Sequence, residues 1–216
     1  SLSSLLKTKL DGALLLQGTV EKKEQLKVSG ITKSLGGQID YLLTDKQFSS
    51  TIKAVPVKNM LQTFRFPAFV DANASGKLTY NLNEKQGESK MALGDFRLAS
   101  NSMTKSIALV VRQDSSSIVF GDSSLEAAIH GNEINYTLMA KALDASITVD
   151  EAVINREKDS HNAKIAFAYD KYAVEGSVKG SIRSPRVGFD TKGLMPDQDF
   201  VKKAEKEVKR FFKRLF

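Results

Sequence analysis

An all-β fold is predicted for this chain: a long antiparallel sheet, sandwich or barrel, with two short helices within it and an amphipathic α-helix at the C-terminus. Three observations predict it. Apolar and polar residues alternate with period 2, and the alternation restarts about every ten residues between turn signals, as strands with one apolar and one wet face do. Two stretches interrupt that pattern with helical spacing. The alternation then stops at Asp199, where a basic segment with a helical apolar stripe begins. So few helices leave a one-sided sheet of this length uncovered, so the sheet must fold on itself. The chain divides into a β domain, residues 1–198, and a helix, residues 199–216.

Taken in order, Leu10, Leu14, Leu16 and Val20 form the first apolar row, and a turn at Glu21 to Glu24 leads to Leu26 and Val28. Gly36-Gly37 marks a turn before Ile39, Tyr41 and Leu43. Asp45-Lys46 then turns the chain into Phe48, Ser50, Ile52 and Ala54. Four strands with such tight connections make an antiparallel meander. A short helix is predicted near 56–65, where Val57, Met60, Leu61 and Phe64 have helical spacing, Pro56 suits the first turn and Pro67 ends it. Strands resume near Asp71 with Leu78, Tyr80 and Leu82, turn at Glu84 to Gly87, and return through Met91 and Leu93. A second short helix is predicted near 102–112, capped by Asn101 or Ser102, with Met103, Ile107, Val110 and Val111 on one side.

Ile118 and Phe120 open the next strand. Leu125, Ala127 and Ile129 follow, then a turn at His130 to Asn132. The rows after it are Ile134, Tyr136, Leu138 and Ala140, then Ile147, Val149 and Val153, then Ile165, Phe167 and Tyr169. After Asp170-Lys171 come Tyr172, Val174, Val178 and Ile182, with Gly176 and Gly180 in the same row. Ser184-Pro185 ends or bends that strand, and Val187 and Phe189 continue it.

The chemistry of catalysis is thinly represented. The chain has no cysteine, hence no disulfide, thiol nucleophile or thiolate metal site. Its two histidines, His130 at a turn and His161 in a polar run, read as loop residues, because neither has a metal-ligand partner at the needed spacing. Asp150 and Glu151 are adjacent, so on a regular strand they point to opposite faces and form no carboxylate pair. There is no nucleophile elbow and no phosphate-cradling glycine loop. A non-enzymatic protein without cofactor or metal is expected.

Charge is concentrated in one place. Of the net charge of +7, +5 lies in Phe200 to Phe216, where Lys202, Lys203, Lys206, Lys209, Arg210, Lys213 and Arg214 face only Glu205 and Glu207. The nearly neutral body argues against nucleic acid as a partner. Within the tail, Phe200, Ala204, Val208, Phe211 and Leu215 form a helical stripe, so this segment is a candidate for lying on an anionic membrane surface or for capping the sheet. No stretch approaches the length of apolar residues needed to span a bilayer as a helix. The chain begins with Ser, and it reads as a processed or truncated piece whose targeting segment is gone.

The apolar rows are the main functional candidates. They serve either a filled core or a groove for an apolar ligand, and both need one apolar face. The candidate lining is Leu14, Leu16, Leu26, Val28, Ile39, Tyr41, Ile134, Tyr136, Leu138, Ile147, Val149, Ile165, Phe167, Val174, Val178 and Ile182. A closed barrel or sandwich carrier of a small apolar ligand, or a scaffold for a protein partner, is the alternative.

The order of elements carries a resemblance. A meander is followed by a short helix ending in Phe66-Pro67. Hairpins then lead to Gly94 to Leu98 (GDFRL), a second short helix and more hairpins. A Gly-x-Ile-x-x-Pro-x-Val step (Gly180, Ile182, Pro185, Val187) runs into the basic tail. Over roughly Leu10 to Phe216 this resembles the C-terminal region of the bacterial AsmA-like family, relatives of TamB and YhdP. The resemblance implies a periplasmic protein of the Gram-negative envelope, anchored in the inner membrane by a segment not in this sequence. It also implies that the long antiparallel sheet is curled into an open groove with an apolar lining, which carries phospholipid between membranes.

Overall fold

The structure is a computed structural model that describes residues 15–22, 25–64, 66, 68–99, 115–170 and 172–190. Its chain runs as β1 (Gln17–Lys22), β2 (Leu26–Thr32), β3 (Gln38–Thr44), β4 (Gln47–Pro56), α1 (Val57–Thr63), β5 (Val70–Asn81), β6 (Gln86–Leu98), β7 (Asp122–His130), β8 (Glu133–Lys141), β9 (Ala145–Asn155), β10 (Ser160–Tyr169), β11 (Tyr172–Gly180) and β12 (Pro185–Asp190). The twelve strands form one sheet in strict sequence order, every neighbouring pair antiparallel. The sheet is curled but not closed. Its two edges are β1 and β12, which rules out the closed barrel and the stacked sandwich for the described residues.

Tight hairpins follow from residues that tolerate left-handed backbone. Asp45 (φ 51°), Gly131 (φ 60°) and Asp170 (φ 51°) each open a two-residue turn. Lys85 (φ 56°) and Asp159 (φ 45°) close the four-residue turns of β5–β6 and β9–β10. Aspartate and glycine suit these positions because a short polar side chain, or none, lowers the cost of positive φ.

Three further positive-φ residues lie inside strands: Ala54 (φ 48°), Asp95 (φ 52°) and Glu151 (φ 48°). Each coincides with a register shift, so each marks a β-bulge. One extra residue reverses which side chains point inward. Ile52 is therefore followed by Val55, Leu93 by Phe96, and Val149 by Ala152, all buried or half-buried on the same face.

The solvent-free core lies at the end of the strands where α1 sits. Phe96, Phe120 and Phe167 are the largest fully buried side chains, and Val174 packs in the same cluster. Phe96 and Phe120 meet edge-to-face, ring centroids 5.8 Å apart at 80°, while the Phe120 N–H donates to the Phe96 carbonyl at 2.9 Å. Burying one such aromatic contributes roughly 1.5–3 kcal/mol. The helix starts after Pro56, whose φ of −58° is already near helical, and packs Val57 and Met60 onto this core. Asn59 ties it to the β2–β3 turn through Nδ2 to the Leu35 carbonyl at 3.0 Å.

Several expectations change. The second helix (102–112), the C-terminal helix (199–216) and Leu14 lie outside the described residues. Phe120 forms an isolated bridge to Phe96, and the strand begins two residues later. Ser184-Pro185 opens a separate antiparallel strand, so Ile182 lies in the β11–β12 turn and not on the apolar row. The polar stretch Ser181 to Ser184 with Pro185 makes a turn, which the flanking period-2 pattern conceals.

A candidate apolar ligand face

Cross-strand register lines up the inner side chains into rows that cross the whole sheet. One row passes through Thr32, Ile39, Ile52, Gly76, Met91, Leu125, Leu138, Val149, Ile165 and Gly176. A second passes through Tyr41, Ser50, Leu78, Ser89, Ala127, Tyr136 and Ala152. A third, nearer the hairpins of β3–β4 and β7–β8, holds Val20, Val28, Leu43, Phe48, Tyr80, Gly87, Ile129, Ile134, Ile154 and His161.

Burial along these rows is graded. At the α1 end Ala140, Ile147, Phe167 and Val174 are fully buried, and Ala152, Ala163 and Val178 form a second buried cluster. Further along, Val28, Ile39, Tyr41, Leu125, Ile134, Tyr136, Leu138, Val149 and Ile165 are only half-buried. Leu16 and Leu26 are 50% and 41% exposed. The candidate lining therefore divides in two. Ile147, Phe167, Val174 and Val178 belong to the packed core, and the half-buried residues border an accessible apolar face. The tail cations with Phe211 and Leu215 lie outside the described residues.

The outer face is polar and charged. Lys53 pairs with Asp40 at 2.7 Å, Lys90 with Glu126 at 3.7 Å and Lys164 with Glu151 at 2.6 Å, all on that face. The Lys53 ammonium and then the Gln38 amide, both hydrogen-bonded to Asp40, hold its carboxyl below the usual carboxylate range. Asp150 and Glu151 are both exposed, because the bulge places the pair on the same side where a regular strand would separate them.

Polar groups also occur on the inner face. Tyr136 Oη and His161 Nε2 lie 2.8 Å apart, with ring centroids at 5.9 Å. Burial pushes the Tyr136 phenol up to about 12 and the His161 imidazole below its ordinary value. Ser89 is 6% exposed, and its buried Oγ has no hydrogen-bond partner. The expectation of a loop position for His161 is therefore corrected: it is half-buried, two residues into β10 and facing inward. Its alternation with Ala163, Ile165 and Phe167 is the signal that finds it. Likewise Val153 leaves the apolar row, and Ala152 and Ile154 take its place after the bulge.

No family model, curated protein or solved structure matches this chain.

Proposed function

We propose that this is a non-enzymatic lipid-binding protein of the Gram-negative periplasm that holds phospholipid acyl chains against the inner face of its open sheet. It would thereby serve phospholipid transport between membranes, or outer-membrane homeostasis. The observation that carries the reading is the continuity of the apolar rows. They cross strand after strand, stay half-buried over much of their length, and oppose a charged outer face. At about 0.8 kcal/mol per buried methylene, ten methylenes would contribute roughly 8 kcal/mol before the costs of immobilisation. The envelope location and the inner-membrane anchor rest on the resemblance of the order of elements to the C-terminal region of the AsmA-like family. The apolar stripe and lysines of residues 199–216 support contact with an anionic membrane surface.

The test exploits two adjacent residues on opposite faces. Leu138 is half-buried on the inner face and Thr137 is exposed on the outer. Native mass spectrometry of protein offered phospholipid should show lipid bound to the parent chain and to Thr137→Asp. Leu138→Asp should lose most of it, while keeping its circular dichroism spectrum. Equal loading of folded Leu138→Asp, or no lipid on the parent chain, rejects the reading.

A further inference from the structure

We propose that the inner face contains a hydrogen-bonding station for an uncharged carbonyl, the acyl-ester carbonyl of a bound glycerophospholipid, formed by Tyr136 with His161 and flanked by Ser89. The inference deepens the lipid-binding reading and rests on it. Tyr136 on β8 and His161 on β10 are separated by all of β9, about 10 Å at ordinary strand spacing. They touch because the β9 residue opposite Tyr136 is Ala152, whose methyl leaves room for the phenol to lie across it. The bulge at Glu151 is what turns Ala152 inward.

A donor count then leaves a hydrogen over. The phenol carries one O–H and a neutral imidazole one N–H, and their mutual bond uses only one of the two in either tautomer. Among the described residues neither side chain makes another hydrogen bond. On the far side of Tyr136, across Ala127, the Ser89 hydroxyl is buried with no partner at all. Native proteins rarely leave a buried hydroxyl unsatisfied, and the cost falls when a ligand supplies the partner. Ser89 and Tyr136 thus share one row of an apolar wall, separated by Ala127, and His161 meets Tyr136 from the adjacent row across β9.

The chemistry of the partner follows from what is missing. Among the described residues no cation belongs to this part of the inner face, since Lys90 and Lys164 lie on the outer face with Glu126 and Glu151. A phosphate or carboxylate placed here would be desolvated without a counter-charge. An ester carbonyl needs only the spare donor. From it the acyl chains run over Leu125, Leu138, Val149 and Ile165, and the phosphate reaches water at the hairpin rim near Gly131-Asn132.

The experiment compares a diacyl phosphatidylcholine with its dialkyl ether analogue of equal chain length, titrated against the full chain and counted by native mass spectrometry. The parent should prefer the ester by about 3- to 10-fold, the range for one hydrogen bond. Tyr136→Phe and Ser89→Ala should bring that preference toward unity and leave ether binding unchanged. Ser89→Ala should also melt higher than the parent without lipid, because it deletes the unsatisfied hydroxyl. Should Tyr136→Phe fail to fold, Ser89→Ala carries the comparison. Equal binding of ester and ether by the parent, or an undiminished preference in folded variants, overturns the station and leaves the lipid reading standing. Binding of neither lipid overturns both.

Discussion

His161 occupies a place where a positive charge is costly, and that makes it the residue with the clearest pH signature. Burial lowers its folded-state pKa below the unfolded value near 6.5, so the unfolded chain binds the proton more readily. Its contribution to stability is therefore complete above about pH 6.5 and is lost as pH falls from there through the lower folded value. Asp40 shows the carboxylate form of the same effect, held low first by Lys53, with its contribution lost deeper in the acid range. Thermal melts of the parent and His161→Gln from pH 7.5 to 5 separate the two groups. The parent should lose melting temperature more steeply as the pH falls below 6.5, and the variant should flatten that limb. Parallel curves would mean that His161 titrates as it does when unfolded. The Tyr136 phenol, pushed up to about 12, stays protonated across this range. Tyr136 was legible as a strand residue, but His161 reads as a loop residue in the sequence and lies in β10, and their contact depends on which β9 residue lies between them.

Among the elements, the bulges explain most of the difference between sequence and structure. Simple alternation locates the strands and the hairpins at Asp45, Gly131 and Asp170, since Asp and Gly stand where positive φ is needed. It loses the face at each bulge, because a single inserted residue reverses the parity of everything after it. The trace it leaves is a step of three between inward residues: Ile52 to Val55, Leu93 to Phe96, Val149 to Ala152. Reading straight through is what put Val153 on the apolar row. Ile182 was misplaced for a different reason, a turn built of Ser, Ile and Arg with no glycine at its centre. Ala54 offers a direct check on the bulges, being an exposed non-glycine residue at φ 48° whose N–H still donates to Ser75 Oγ at 2.9 Å. Ala54→Gly relieves the Cβ crowding of left-handed backbone and should stabilise by about 0.5–1 kcal/mol. That corresponds to roughly 1–4 °C in the melt of a chain this size. Ala54→Val should lower the melting temperature instead. If both substitutions destabilise alike, the bulge is not held in the left-handed conformation.

For the whole molecule, the consequence of strict sequence order is a single layer. Eleven strand spacings extend about 50 Å along the rows, and α1 is the one helix among the described residues available to cover them. The packed core gathers at the α1 end, where Phe96, Phe120 and Phe167 exclude water, and the apolar surface beyond it is only partly shielded. The sequence pattern was sufficient for the all-β class, the meander and the first helix. The filled core and the accessible face were indistinguishable there, because both are written as the same alternation, and only the graded burial separates them. Val174 and Leu138 carry equally apolar side chains, yet the first is buried and the second half-exposed.

The central claim is that lipid lies on that inner face, and the most direct measurement is photolabelling with a phospholipid bearing a diazirine in its acyl chain, followed by residue mapping by mass spectrometry. The account predicts adducts on the half-buried inner residues, Ile39, Met91, Leu125, Leu138 and Ile165, with outer-face neighbours such as Thr137 and Lys164 unlabelled. Labelling spread equally over both faces, or absent from the inner rows while the lipid is shown to bind, would contradict it.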